Sequence, residues 1–156
     1  ADRIAVLNQG VLEQMDSPEI IYHLPSTPFV ADFVGQADFV TGHIQQGMVH
    51  TELGEFPNTM AGEEGTPVVV MIRPDDIHLL PNKSAEPRIV SRQFRGSENL
   101  YTVRLGSGQI VHSSESSTSV YQEGTAVELR VSATHTVLFR ADQFPDSGRR
   151  PPLPID

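Results

Sequence analysis

Pro67-Val68-Val69-Val70-Met71-Ile72, followed by Arg73-Pro74-Asp75-Asp76, is the stretch that decides the fold of this chain. Six residues rich in β-branched side chains, bounded by a turn signal, predict a strand. Pro74 presets φ for a turn, and Asp75 can hydrogen-bond the backbone two residues further on. The stretch therefore predicts a strand that ends at a tight turn.

Outward from this stretch, short strand patterns alternate with turn signals on both sides. The further predicted strands span residues 39–45, 48–53, 77–80, 88–94, 99–105, 109–112, 126–131 and 136–139. Gly96 is expected to adopt positive φ in the turn of Phe94-Arg95-Gly96. The hydroxyl-rich residues 113–118 are expected to form a polar loop. Many short strands without a long helical pattern predict a mainly β fold, a small barrel or sandwich.

The chain begins with a different pattern. Residues 3–7 and 11–15 flank Asn8-Gln9-Gly10, which predicts a two-stranded hairpin with an open edge. Ser17 and Thr27 each precede a proline, so two short capped helices should follow.

The second of these helices carries an apolar stripe. Phe29, Val30, Phe33 and Val34 share one face at helical spacing, and we expect that face to be buried, Phe29 and Phe33 included.

Composition excludes several classes of function. The 156 residues carry a formal net charge of −9, with no cysteine and no apolar run long enough to cross a bilayer. Disulfides and thiolate metal sites are excluded, and the acidic balance disfavours nucleic acid as a partner. Residues 83–104 are locally basic, and either a solvated strand face or a surface for an anion or partner would explain them.

Motifs for catalysis are absent from the sequence. It has no G-x-x-x-x-G-K-[ST] phosphate loop and no apolar strand ending in a magnesium-binding acidic pair. G-x-S-x-G and H-E-x-x-H are also missing. The histidines fall on separate predicted elements, which favours scattered strand positions over a metal site. We therefore expect no catalytic, cofactor or metal site in this chain, and neither binding nor hydrolysis of ATP by it.

Several short motifs, in order, closely resemble the ATP-binding subunits of ABC transporters. The early motifs resemble the last strands and helices of the ATPase domain, and the last resembles the TOBE regulatory domain of importers. They are Asp2-Arg3-Ile4-Ala5-Val6-Leu7-Asn8-Gln9-Gly10, Asp16-Ser17-Pro18-Glu19-Ile20-Ile21-Tyr22, Phe29-Val30-Ala31-Asp32-Phe33-Val34-Gly35 and Ile72-Arg73-Pro74-Asp75-Asp76. The resemblance implies an incomplete end of the ATPase domain over residues 1–35 and an OB-like TOBE domain over 36–143. The prolines at 145, 151, 152 and 154 predict an extended or disordered tail over residues 144–156.

The resemblance also implies a function for the longer protein. It would energise uptake of a small solute with ATP and magnesium. The resemblance is closest to the branch of ferric iron, polyamine and sugar importers, within which Phe33-Val34-Gly35-Gln36-Ala37-Asp38-Phe39 favours iron(III). Its partners would be a second copy of itself and transmembrane permease subunits, at the inner, cytoplasmic face of the membrane. The candidate regulatory or interface residues are Arg73, Pro74, Asp75, Asp76, Phe94, Arg95 and Gly96. The alternative is a free-standing OB-like module that binds a small oxyanion or nucleic acid; the acidic charge counts against nucleic acid.

Overall fold

The computed structural model describes residues 2–132 and 135–144, which form two compact units. The first contains residues 2–71 and 135–144, and the second contains residues 72–132. The structure is mainly β, as the sequence predicts. The predicted boundary after Gly35, between the end of an ATPase domain and a TOBE domain, is a different division from these two units, and it stays a prediction.

The first unit opens with the predicted hairpin of β1 (Ile4–Asn8) and β2 (Val11–Asp16). Gln9 and Gly10 have φ of 51° and 80°, which a tight two-residue turn requires. Helices α1 (Pro18–His23) and α2 (Pro28–Val34) follow.

Both predicted helix caps are confirmed. The Ser17 hydroxyl accepts a hydrogen bond from the Ile20 amide at 3.4 Å, and the Thr27 hydroxyl accepts one from Val30 at 3.2 Å. Each satisfies an amide that the first helical turn leaves without a backbone partner.

A five-stranded sheet completes the first unit, in the order β12-β6-β3-β4-β5. Its strands are β3 (Asp38–Gln45), β4 (Met48–Thr51), β5 (Gly54–Pro57), β6 (Pro67–Ile72) and β12 (Val137–Arg140). Strand β5 has no counterpart among the predicted strands, because the predicted 48–53 strand runs through the turn that separates β4 from β5. The core of this unit lies around Phe39, Val69, Phe139 and Phe144.

Phe144 corrects the predicted start of the tail. The sequence places it in the disordered segment, but it is 1% exposed and its ring lies 5.1 Å from that of Phe39. Burial of its aromatic ring in this core stabilises an ordered position for Phe144, although the prolines that follow it predict the start of the tail. The rest of the predicted tail, residues 145–156, lies outside the described residues.

The second unit is a partly open five-stranded barrel of antiparallel strands. Its strands are β7 (Ile77–Pro81), β8 (Arg88–Phe94), β9 (Glu98–Arg104), β10 (Ile110–Ser116) and β11 (Val127–Val131). Ladders join β7 to β11, β8 to β9 and β9 to β10. A single bridge between Arg88 and Ala126 brings the start of β8 beside the segment that enters β11. This closure is that of an OB-like fold, as predicted.

Two sequence predictions are wrong in detail. Ser113 to Ser116 lie in β10 and not in a polar loop, since Ser113 is fully buried and pairs with Tyr101 across the ladder. A serine suits such a position when its hydroxyl finds an acceptor. Phe33 is 55% exposed and Phe29 only partly buried, whereas Val30 and Ala31 are fully buried. The buried face of α2 is therefore centred on Val30 and Ala31, with Phe29 packed at its margin and Phe33 exposed. The two Phe rings stack on each other at 5.6 Å.

Candidate regulatory surface

The predicted Arg73-Pro74-Asp75-Asp76 motif forms a single 3₁₀ turn over Pro74–Asp76 at the start of the second unit. The Asp76 amide donates to the Arg73 carbonyl at 3.0 Å. Arg73 is 3% exposed and Pro74 is buried, while Asp75 points to solvent. The motif is thus a strand-ending turn, as predicted, and only Asp75 of its four residues is freely accessible.

Side chains of β10 hold this turn and the strand that follows it. The Ser113 hydroxyl donates to the Ile77 carbonyl, and the Glu115 carboxylate accepts from the Leu79 amide at 2.8 Å. These bonds take the place of a backbone ladder between β7 and β10, and they complete the closure of the barrel.

The second predicted motif, Phe94-Arg95-Gly96, lies at the tip of the β8–β9 hairpin. Gly96 has φ of 77°, as the turn prediction requires, and the Arg95 amide donates to the Glu98 carbonyl at 2.8 Å. Phe94 is 66% exposed, and Arg95 is also exposed. An aromatic ring and a guanidinium are therefore both open to solvent at the hairpin tip.

The structure places the two motifs at opposite edges of one sheet. The turn at Pro74 packs against β10, and the hairpin tip belongs to β8, in a sheet of order β10-β9-β8. They form two separate surfaces and not one cluster, and their regulatory role stays a prediction.

The basic segment does not form one strand face. Arg88 lies directly opposite Arg104, but Arg92 lies opposite the buried Tyr101, on the other face of the sheet. Lys83, Arg88, Arg92, Arg95 and Arg104 are all exposed. Arg88 and Arg104 share one face, Arg92 lies on the opposite face, Arg95 lies at the hairpin tip, and Lys83 lies in the segment between β7 and β8. No single strand face holds all five cations, and the two interpretations of the segment stay predictions.

One arrangement in the first unit was missed by sequence reasoning. His43 pairs with His50 across β3 and β4, their rings stacked at 5.8 Å, and His50 Nδ1 lies 3.3 Å from Glu55 Oε1 on β5. The turn at Gln46-Gly47 fixes this register, so the hairpin pattern could have revealed the pair. The two histidines line an open pocket with a volume of about 320 Å³. Within the part of the chain that the structure describes, however, no three His, Asp or Glu side chains are grouped to hold a metal ion.

Comparison with known proteins gives these surfaces a family context. Residues 70–139, which run from β6 through the whole barrel to β12, match the TOBE domain family.

The chain contains a TOBE domain, and it is related to the ATP-binding subunits of ABC importers.

Three relatives show the extent of the similarity. A sulfate/thiosulfate import ATP-binding protein of Xanthomonas campestris is 34% identical over 64% of this chain and 29% of its own length. The spermidine/putrescine import ATP-binding protein of Borreliella afzelii is 38% identical over 67% of this chain and 31% of its own length. Its namesake from Pseudomonas aeruginosa is 31% identical over 86% of this chain and 43% of its own length.

The chain spans about a third of the length of these relatives. In the described ranges, 2–132 and 135–144, no helix has the length and apolar character needed to span a membrane.

Proposed function

We propose that this chain is the regulatory C-terminal region of the ATP-binding subunit of an ABC importer for a small solute. The observation that carries the proposal is the TOBE match over residues 70–139, which coincides with the five-stranded barrel. The named relatives support the same assignment, since each is an import ATP-binding protein. These names do not favour the alternative of a free-standing oxyanion module.

In the proposed subunit, ATP and magnesium bind outside residues 1–156. The sequence has no phosphate loop and no magnesium-binding acidic pair. The transmembrane permease subunits of the importer are the proposed membrane partners, which would hold the subunit at the inner face of the membrane. A second copy of the subunit is the other proposed partner.

The solute is the finer part of the proposal. The three relatives are named for sulfate/thiosulfate and for spermidine/putrescine, and none of them for iron. The iron(III) prediction from residues 33–39 thus gains no support from them. Iron(III) is therefore one of three solutes to be compared in an uptake test.

The test measures uptake in cells that lack the gene encoding this chain. Radiolabelled sulfate, spermidine and iron(III) are supplied separately, and the complete gene is then restored. We expect one of the three uptake rates to fall in the deletion strain and to recover on restoration. Unchanged uptake of all three would exclude these solutes as substrates. The assignment to an ABC importer would then be tested on the purified complex.

For the class itself, the complete subunit is reconstituted with its permeases in liposomes. We expect ATP-dependent solute uptake, and an altered dependence of ATP hydrolysis on solute when the hairpin tip is changed by Arg95→Glu. Arg130→Glu, an exposed cation on β11, is the matched control. A complete subunit that neither binds ATP nor supports transport would refute the proposal.

A further inference from the structure

Strand β8 has an edge that is covered along only half its length. The Ile89 amide donates to the Thr125 carbonyl at 3.0 Å, and the Ile89 carbonyl accepts from Gly124 at 2.8 Å. These bonds occupy the first half of the edge. Residues 91–96 are all exposed.

The hairpin register shows which backbone groups the uncovered half presents. Arg95 and Glu98 form a hydrogen-bonded pair next to the turn. Because such pairs alternate with non-bonded ones along an antiparallel ladder, Phe94 and Arg92 direct their amides and carbonyls away from β9. Among the described residues, no hydrogen bond to these outward groups is found. An unpaired row of this kind is a template for another strand.

The side chains along this edge set the chemistry of what could bind. Arg92 and Phe94 lie on one face of the strand, since they pair with Tyr101 and Asn99. Phe94 is 66% exposed, and Arg92 is exposed without an ion pair among the described residues. Arg95, just beyond the end of β8, adds a second cation, and within the described part of the chain its guanidinium donates only to the neutral Gln93 side chain, at 3.2 Å.

We propose that this edge, residues 91–94 of β8 with the adjoining Arg95, binds an extended acidic segment of a partner protein as an added antiparallel strand. Main-chain bonds to Arg92 and Phe94 would supply affinity, and their side chains would supply specificity. The segment would place an apolar residue opposite Phe94 and, two residues later, a carboxylate opposite Arg92. The inference does not depend on the importer assignment.

A second copy of the chain is the disfavoured occupant. Antiparallel pairing of two β8 edges would set Arg92 of each copy opposite Phe94 of the other, with Arg95 of both copies on the same short ribbon. Four guanidinium groups would then share one ribbon without an anion, and like charges across strands are destabilising. Charge complementarity therefore favours an acidic partner.

The probe is a fluorescent peptide with blocked ends, Thr-Tyr-Thr-Glu-Thr-Glu-Thr-Val, titrated with the intact chain by fluorescence anisotropy. We expect saturable binding, and Kd at least tenfold weaker for the same peptide with lysine in place of both glutamates. Arg92→Glu with Arg95→Glu should reverse this preference. Arg104→Glu changes an exposed cation on the other sheet face and should leave Kd unchanged. Thermal unfolding of each variant verifies that it is folded.

Backbone methylation separates strand addition from simple charge attraction. N-methyl groups on the tyrosine and the first glutamate block the amides that face β8, and should weaken binding at least tenfold. A single N-methyl group on the intervening threonine faces away and should not. The proposal would be overturned if all methylated peptides bound with the same Kd, or if the lysine peptide bound as tightly as the glutamate peptide. Self-association of the chain that Arg92→Glu abolishes would also overturn it.

Discussion

Tyr101 is fully buried, and its hydroxyl makes two hydrogen bonds inside the barrel. It donates to the Ser119 carbonyl at 2.6 Å and accepts from the Tyr121 amide at 3.0 Å. Tyr101→Phe leaves both backbone groups without this partner, so we expect a loss of about 1–3 kcal/mol in the free energy of unfolding. Urea denaturation measures it. Tyr121→Phe is the control and should change stability by less than about 0.5 kcal/mol; equal losses would contradict the assignment.

Thr27 tests the cap of α2. Its hydroxyl accepts from the Val30 amide at 3.2 Å. Thr27→Ala should cost about 0.5–2 kcal/mol, because the amide loses its acceptor, whereas Thr27→Ser keeps the hydroxyl. Thermal unfolding compares the two, and a Ser variant as unstable as the Ala variant would show that the hydroxyl is not the cause.

Helix α2 shows what a spacing argument can and cannot establish. Its start was predictable, since a hydroxyl followed by proline defines a cap locally. Which side of its apolar stripe is buried was not, because that depends on the neighbouring elements: Val30 packs with Val6 and Ile21, which leaves Phe33 at the margin. Because α2 has only seven residues, the spacing of its apolar residues does not determine which side of the helix is buried.

The burial of these helices yields a paired stability prediction. Phe33 is 55% exposed and Ile21 is 1% exposed. Phe33→Ala should therefore cost less than about 1 kcal/mol, and Ile21→Ala about 2–5 kcal/mol. Urea denaturation of both variants checks the order. A larger loss for Phe33→Ala would show that the whole apolar stripe is buried in solution.

The candidate surfaces were recoverable from the sequence to different degrees. The turns at Pro74 and Gly96 follow from local chemistry, so their positions were predictable. The open half of the β8 edge was not, because it depends on where the segment entering β11 stops covering β8. Long-range pairing of that kind leaves no periodic signal.

Charge is divided unevenly between the two units. Residues 72–134 contain seven basic and seven acidic residues, so the net charge of −9 belongs to the remainder of the chain. Two copies that approach through their acidic first units would repel each other, whereas two copies that approach through their electrically balanced barrels would not. This distribution favours a dimer that forms through the second unit, on a surface other than the β8 edge.

Self-association is accordingly the prediction for the molecule as a whole. We expect light scattering of the chain at about 100 µM to report a dimer that strengthens with salt, since screening weakens repulsion between the acidic units. The β1–β2 hairpin is the competing surface, because Val11 and Leu12 are 64% and 50% exposed on it. Val11→Lys with Leu12→Lys should leave the dimer intact. A monomer at every salt concentration would contradict dimerisation, and a dimer lost only in the hairpin variant would transfer the contact to the hairpin.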